Sequence, residues 1–96
     1  MNNVMALCWA GAQGDINEVK KLVANGVNLN EADYDGRTCG HLAASEGHLE
    51  VVNFLIKKGV DFKLKDRWGY TPLDDSIRHG HPKIVELIKN YNEQKK

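Results

Sequence analysis

The sequence predicts an all-α solenoid of about three helix–turn–helix units, joined by loops that carry β-turns at their tips. The first observation is a period: Gly14, Gly47 and Gly80 stand 33 residues apart, and the residues around each glycine repeat with it. The second is that apolar side chains recur in the same register. These columns are Val19, Val52 and Val85, then Leu22, Leu55 and Ile88, then Val23 and Ile56. A period of this length indicates units that are stable only against their neighbours.

The period divides the chain into three units, of which the first is the least complete. We expect repeat 1 at about 1–32, repeat 2 at 33–65 and repeat 3 at 66–91, all in one domain, with a frayed and charged tail at 92–96. Repeat 1 begins directly with a helix near Val4 and lacks the loop tip of the other two. Its apolar residues leave an opening, so either the first helix caps itself or this edge docks on a missing domain or on another copy of the chain. The residues of this opening are Met5, Cys8 and Trp9.

Repeat 2 shows how one unit is built. Residues 38–45 favour a short helix with Thr38 as its N-cap, because the hydroxyl can accept from the unpaired amides of the first turn. Gly47 then breaks the helix, since glycine adopts a left-handed turn without steric cost. A second helix is expected at 49–58, where apolar side chains recur at helical spacing, and Gly59 ends it.

The segment after the second helix predicts an extended loop with a turn at its tip. Residues 60–67 carry no helical period, and Trp68-Gly69-Tyr70 is a turn signal. Thr71 and Pro72 start the next helix, because a proline at the first helical position loses no hydrogen bond. Each unit is therefore a helix, a turn, a second helix and a loop that leads to the next unit.

The residues around the tips carry a family resemblance. Residues 33–48, which read DYDGRTCGHLAASEGH, closely resemble the ankyrin repeat, and residues 66–73, which read DRWGYTPL, resemble it independently. The resemblance covers about residues 4–91, and repeat 1 is its degenerate member. It implies that the β-turn tips and the exposed sides of the first helices line a concave face, where partners usually bind.

A narrower resemblance is also present. The tip of repeat 2, the Lys-Asp-Arg-Trp of 65–68 and the Thr-Pro-Leu-Asp-Asp of 71–75 are similar to the ankyrin region at the C-terminus of glutaminases and some asparaginases. The Asp-Arg-Trp-Gly tip is also similar to tips in the ankyrin regions of plant-type potassium channels. No part of the chain resembles the catalytic domain of a glutaminase or an asparaginase, so the resemblance does not imply their activity.

Composition is typical of a soluble intracellular module. Thirteen basic residues balance thirteen acidic ones, so no overall field attracts nucleic acid or an anionic membrane. The apolar run 4–10 is too short to span a bilayer and has no basic flank, so it predicts a buried helix and neither a signal peptide nor a membrane insertion. The two cysteines lack Cys-x-x-Cys spacing, which favours reduced thiols. We expect a cytoplasmic protein, with the nucleus as the alternative.

Most residues that suggest chemistry have a structural explanation. Cys39 and His41 suggest a thiol with a base, but residues two apart on a helix point about 200° apart and do not face each other. The histidines do not converge with cysteines or carboxylates at zinc-like spacing, so we predict no metal site. The family resemblance instead implies that His41, His48 and His81 tie one repeat to the next through hydrogen bonds.

Asp74 and Asp75 suggest a carboxylate pair for acid–base work. Neighbouring residues of a helix diverge, however, and an acidic pair in the first turn favours the helix dipole, so we expect both to cap the helix. The chain also lacks a glycine-rich loop that could cradle a phosphate. We therefore predict a protein that is not an enzyme and binds no cofactor.

One departure from the repeat pattern concerns packing. Gly40 stands where Leu7 and Leu73 stand in the other repeats, so repeat 2 lacks a core leucine. An unfilled space of that size costs about 2 to 5 kcal/mol. We expect Trp9, or another bulky side chain of repeat 1, to fill it.

The remaining candidate for function is a binding surface. Tyrosine, tryptophan and arginine are the side chains that most often anchor protein interfaces, and they recur at the predicted tips. Trp68 is the leading anchor, although it can also lie on a neighbouring turn against Arg37 or Tyr34. The predicted partner-binding residues are Tyr34, Asp35, Arg37, Ser45, Glu46, Arg67, Trp68, Tyr70, Arg78 and His79.

Three functions stay open from the sequence. The first is a non-catalytic module that binds a protein partner through its tips and concave face, with self-association through the N-terminal edge as a further option. The second, which the narrower resemblance implies, is a regulatory or assembly appendage of an amide-hydrolysing enzyme whose catalytic domain is not in this chain. The third is the cytoplasmic segment of a channel.

Overall fold

The computed structural model describes residues 2–94, and within that range it contains six helices and no strand. The helices form three helix–turn–helix pairs, which confirms the predicted all-α solenoid. They are α1 (Asn3–Gln13), α2 (Ile16–Ala24), α3 (Cys39–Glu46), α4 (Leu49–Lys57), α5 (Pro72–Arg78) and α6 (Pro82–Gln94). No helix within residues 2–94 combines the length and the apolar character that a bilayer span requires.

The predicted helix boundaries of repeats 2 and 3 are set by local contacts. The Thr38 hydroxyl accepts from the His41 amide and the Thr71 hydroxyl from the Asp74 amide, so both threonines are N-caps. Pro72 is the first residue of α5, as expected from its missing N–H. These three residues therefore place the first helices of repeats 2 and 3 from sequence alone.

The first helices pack closely in the order α1, α3, α5, and the second helices form an outer layer. At Gly11, an added Cβ would lie 2.5 Å from the Cys39 Sγ, and Ala44 in the same column is fully buried. Small residues at this contact let the first helices approach more closely than the second helices do. The outer helices therefore diverge from one another.

Two histidines link consecutive repeats, as the resemblance implies. The Nε2 of His48 donates to the Ala12 carbonyl and the Nε2 of His81 to the Ser45 carbonyl, each at 2.9 Å. Each ring also covers a glycine with positive φ, because Cβ atoms built on Gly14 and Gly47 would lie within 2.5 and 2.6 Å of them. The third glycine of the period, Gly80, has a φ of 73°, but no described atom lies within 4 Å of its Cβ position.

The expected filling of the space beside Gly40 by Trp9 is wrong. The side chain in that space belongs to Phe62, whose Cε1 lies 2.6 Å from the position of a Cβ on Gly40. Phe62 is 1% exposed and meets Tyr91 edge to face at 5.8 Å, whereas Trp9 is 61% exposed. A leucine at position 40 would overlap Phe62, so the loop after α4 supplies the missing core volume.

The predicted tail and the predicted apolar opening also need correction. The helix α6 continues to Gln94, past the expected start of a frayed tail, and Tyr91 on it donates its hydroxyl to the Val60 carbonyl at 2.6 Å. Residues 95 and 96 of the predicted tail lie outside the described residues. Cys8 is 4% exposed and its thiol donates to the Arg37 carbonyl, so it is not part of an open edge.

Candidate functional site

The tip of repeat 2 is a turn organised by one aspartate. The Asp33 amide donates to the Arg37 carbonyl at 3.0 Å, which closes the turn. The Asp33 carboxylate accepts from the amides of Asp35 and Arg37 at 2.8 and 3.0 Å. Gly36 provides the positive φ of 73° that the turn requires. The Asp-x-x-Gly spacing in the sequence therefore specifies the shape of the tip.

The tip of repeat 3 is built in the same way and lies directly beside it. The Asp66 amide donates to the Tyr70 carbonyl at 2.8 Å, and the Asp66 carboxylate accepts from the amides of Trp68 and Tyr70. The Arg67 amide donates to the Asp35 carbonyl at 2.8 Å, and the two side chains form an ion pair at 3.1 Å. The two tips thus form one continuous surface.

Three aromatic side chains and two arginines are exposed along this surface. Tyr34 is 88% exposed, Trp68 58% and Tyr70 37%. The Arg67 guanidinium lies 5.4 Å from the Trp68 ring, and the Arg78 guanidinium lies 4.1 Å from the Tyr70 ring. We call these five residues the tip surface. The arginine that contacts the Trp68 ring is thus Arg67 and not Arg37, which was one of the two contacts considered for Trp68.

Arg37 instead forms a buried ion-pair network that joins repeat 2 to repeat 3. Its guanidinium contacts the Asp66 carboxylate at 2.9 Å and the Asp75 carboxylate at 3.1 Å, and Arg78 adds a second contact to Asp75 at 3.1 Å. Both carboxylates are 0% exposed, and the Arg37 side chain is 17% exposed. Arg37 therefore stabilises the stack. The sequence predicts it among the partner-binding residues, but its guanidinium points into the stack.

Ser45 is the second predicted binding residue that the structure places differently. It is 9% exposed, and its carbonyl is the acceptor of the His81 ring. Glu46 and His79, at the ends of α3 and α5, are exposed as expected. The predicted residues that reach the surface are Tyr34, Asp35, Glu46, Arg67, Trp68, Tyr70, Arg78 and His79.

The network keeps Asp66 ionised. Burial alone would raise the pKa of its carboxyl, but the amides of Tyr70 and Trp68, the Arg37 guanidinium and, in acid, the protonated ring of His41 outweigh burial and hold the pKa below its usual range. The carboxylate therefore remains a permanent partner for Arg37 near neutral pH.

His41 is held neutral beside this network. Its Nε2 donates to the Tyr70 carbonyl at 2.8 Å, and its Nδ1 accepts from the Thr38 amide at 3.1 Å. Burial is the largest effect and lowers the pKa of the ring, partly opposed by the bond to the Tyr70 carbonyl and the charge of Asp75. A proton on Nδ1 would break the bond from Thr38. His41 thus ties repeat 2 to repeat 3, as the resemblance implies.

The prediction for the carboxylate pair holds for one member only. Asp74 accepts from the Thr71 amide at 2.9 Å and so caps α5, whereas Asp75 is the buried partner of Arg37 and Arg78. Its role could have been found from the register, because Asp75 stands in the apolar column of Trp9 and Leu42. A charge in an apolar column indicates a buried ionic partner.

The same cluster is the one place where metal-ligand atoms converge within the described residues. One ligand atom each of His41, Asp66 and Asp75 lies within 4.8 Å of the others. The Arg37 guanidinium already pairs with both carboxylates, and the Nε2 of His41 carries a proton that it donates to Tyr70. The two carboxylates are therefore already paired with a cation of the chain itself, the Arg37 guanidinium.

The two thiols are not activated for nucleophilic attack. Burial is the main effect that raises the pKa of Cys8 to about 11 and that of Cys39 to about 12. Thiols of this kind are almost fully protonated at neutral pH. Both cysteines act as small buried side chains in the contact between α1 and α3.

Comparison with known proteins agrees with this architecture. The family model described as "Ankyrin repeats (3 copies)" matches residues 3–96. The chain is 40% identical over 91 residues to the liver isoform of mitochondrial glutaminase from Rattus norvegicus, a match that covers 94% of the chain and 15% of the glutaminase.

Two further relatives come from other kinds of protein. The chain is 38% identical over 84 residues to an L-asparaginase of Dirofilaria immitis, covering 88% of the chain and 14% of that protein. It is 42% identical over 84 residues to the potassium channel GORK of Arabidopsis thaliana, covering 88% of the chain and 10% of the channel. The chain therefore spans only 10% to 15% of the length of these relatives.

Proposed function

The chain belongs to the ankyrin repeat family, and on this basis we propose that it is a non-catalytic module that binds a protein partner through its tip surface. Ankyrin repeats generally mediate protein–protein interaction, which makes a protein the expected kind of partner. The observation that carries the proposal is the exposed row of Tyr34, Trp68 and Tyr70 with two arginines. Such side chains bury large areas and still offer a polar group at their ends, so they are suited to anchor an interface.

The buried network supports this role because it fixes the tips before a partner arrives. Arg37 holds the repeat 2 tip onto repeat 3, and Arg78, which stacks on Tyr70, is itself held by Asp75. Binding therefore has to order few side chains. Preorganisation of this kind lowers the entropic cost of association, which is about 0.5 to 1.5 kcal/mol per side chain that must be immobilised.

The cytoplasm is the compartment that we propose, with the nucleus as the alternative, because both cysteines are free and disulfides are rare in these two compartments. Self-association through the N-terminal edge remains part of the proposal. Trp9 is 61% exposed and, with Ala6 and Gln13, lines a shallow depression of about 320 Å³. A concentration-dependent mass in solution that Trp9→Ala abolishes would support it, and a constant monomer mass would contradict it.

A second candidate is a regulatory or assembly appendage of a glutaminase-type or asparaginase-type enzyme. It is favoured by the match of 94% of the chain to a small part of a glutaminase. The complete reading frame tests it directly, because an amidohydrolase domain preceding these repeats would support the appendage. A frame that encodes only these repeats would exclude it, and a pore domain would favour the channel segment instead.

The tip surface is tested by affinity capture from a cytosolic extract with the wild type, Tyr34→Ala and Trp68→Ala. We expect both variants to recover less partner while keeping the wild-type circular dichroism and melting temperature. Ile77→Ala is the control, because it removes another large exposed apolar side chain, 54% exposed, that lies outside the tip surface. Equal recovery by correctly folded Tyr34→Ala and Trp68→Ala would contradict the proposal.

A further inference from the structure

The outer layer of the stack carries a second surface with a different chemistry. Between α2 and α4 lies a groove of about 710 Å³ whose apolar floor is formed by Ile16, Leu49 and Phe54. Lys20 and Lys57 line its rim. We propose that this groove binds an acidic segment of a partner protein, with an apolar side chain of that segment resting on the floor.

The groove follows from the way the repeats pack. The first helices approach closely at Gly11 and Ala44, so the second helices diverge on the opposite side of the stack. Phe54 lies in the resulting gap and is only partly buried. The apolar floor is therefore a consequence of helix geometry, and its three side chains remain partly exposed.

The lysines around the floor lack acidic partners. Lys20 and Lys58 place their ammonium groups 5.9 and 5.7 Å from the centre of the Phe54 ring. Within residues 2–94 every ion pair is made by an arginine, so these lysines and Lys57 have no carboxylate within 4.0 Å. Glu50 is the one acidic residue in the lining, which leaves an excess of positive charge.

The two lysines of the lining are not a property of the repeat. Moving 33 residues along the chain takes Lys20 to Asn53 and then to Glu86, and it takes Lys57 to Asn90. The corresponding side of α6 therefore carries an acid or an amide where the groove carries lysines.

Charge complementarity identifies the class of occupant. Unpaired ammonium groups attract carboxylates, and the apolar floor adds area that only a ligand with an aliphatic or aromatic side chain can bury. A short segment in which Asp or Glu flanks Leu, Ile or Phe meets both conditions. The balanced charge of the whole chain disfavours a purely electrostatic ligand such as duplex nucleic acid. Because the groove lies on the second helices and the tip surface on the loops and the end of α5, the two surfaces can be occupied independently.

The probe for the test is a random twelve-residue peptide library selected on the wild-type protein. We expect the selected pool to be enriched in Asp and Glu next to Leu, Ile or Phe. Synthetic members of the pool should then bind Lys20→Glu/Lys57→Glu about tenfold or more weakly, because each reversed charge replaces an attraction by a repulsion. Phe54→Ala should also weaken binding, and added salt should weaken binding to the wild type.

Two matched controls separate the groove from general charge and from the tips. Lys83→Glu/Lys89→Glu makes the same change of charge on α6, and Trp68→Ala removes the main tip anchor, so both should retain binding. The residues changed in these four variants are all exposed or partly exposed. Melting temperatures check that each variant folds.

Three outcomes would overturn the proposal. The first is a pool without acidic enrichment, and the second is equal binding by the groove variant and the α6 control. The third is tighter binding of phosphatidylserine vesicles or of a 20-base-pair duplex than of the selected peptides, lost in the same groove variant. That last result would assign the groove to a membrane or a nucleic acid. None of these results bears on the tip surface, which Trp68→Ala tests separately.

Discussion

The α1–α3 junction and the α3–α5 junction share one repeat spacing but are stabilised by different contacts. At the first, Gly11 approaches the Cys39 sulfur among apolar side chains, and within the described residues no ion pair crosses from repeat 1 to repeat 2. At the second, the guanidinium of Arg37 joins two fully buried carboxylates of repeat 3. The contact that both junctions have in common is a histidine that donates to a carbonyl of the preceding repeat.

This difference shows which parts of the repeat set the geometry and which are free to vary. The histidine bond and the left-handed glycine beneath it fix the spacing, so the remaining contacts can be either apolar or ionic. An apolar junction responds to changes of side-chain volume, whereas a buried ionic junction responds to loss of a partner and to pH. The two junctions should therefore fail under different perturbations.

The largest effect is expected from Arg37→Ala at the ionic junction. The substitution leaves the Asp66 and Asp75 carboxylates buried, and it should lower the free energy of unfolding by about 3 to 5 kcal/mol, measured by urea denaturation. The control is Arg67→Ala, whose ion pair with Asp35 is solvent-exposed and should contribute about 0 to 1 kcal/mol. Similar losses in the two variants would show that the buried network does not stabilise the junction.

A smaller effect is expected from Gly11→Ala at the apolar junction. The new Cβ would meet the Cys39 Sγ at 2.5 Å, so overpacking should destabilise the protein by about 1 to 3 kcal/mol, less up to about 1 kcal/mol of improved helix propensity. Urea denaturation measures the loss. The double variant Gly11→Ala/Cys39→Ala should recover part of it, because the clashing sulfur is gone. A stabilised Gly11→Ala would mean that α1 can move away from α3 without cost.

Acid should weaken the ionic junction in two steps. Burial lowers the pKa of His41 below its ordinary value of 6.5, so the unfolded chain binds a proton first and stability falls as pH decreases below that value. Asp66 has a pKa below its ordinary value of 3.8, so its contribution is present above that pH and is lost as pH falls further. Urea denaturation between pH 7.5 and pH 5 measures the first step.

His79→Gln is the control for the acid effect, because it removes an exposed histidine at the end of α5. The variant should show the same loss of stability below pH 6.5 as the wild type. Stability that does not change between pH 7.5 and pH 5 would contradict the assignment to His41.

The smallest effect concerns the thiols of the apolar junction, which should report on it without disturbing it. With pKa values of about 11 and 12, Cys8 and Cys39 should react with iodoacetamide at pH 8 far more slowly in the native protein than in urea. Mass spectrometry follows the modification. Rapid native alkylation would show that the α1–α3 junction opens readily.

The parts of the fold that local motifs specify could be predicted from the sequence. Thr38 and Thr71 cap helices through contacts three residues away, and His48 and His81 bind at a fixed offset in the repeat. These interactions need only the spacing of residues along the chain. The exposed members of the tip surface followed from the same register.

The contacts that could not be predicted join residues whose distance in space is not set by one motif. Phe62 fills the space at Gly40 because the loop after α4 folds back over α3, and the period alone does not give the depth of that loop. Arg37 was expected on the surface because arginines at tips often bind partners, but Asp75, 38 residues away, turns it inward. Only the charge of Asp75 in an apolar column indicated this pairing.

Gly80 makes the stack open to extension by protein design. At the two junctions, the carbonyls of Ala12 and Ser45 and the glycines two residues after them receive a histidine ring. The carbonyl of Arg78 and the uncovered Gly80 present the same arrangement at the end of repeat 3. The side chain of Ile77 would keep the first helix of a fourth unit away from α5, because Ile77 stands in the column of Gly11 and Ala44, the small residues at the helix contact. A designer who wishes to add a fourth unit should therefore replace Ile77 by alanine and leave Gly80 unchanged.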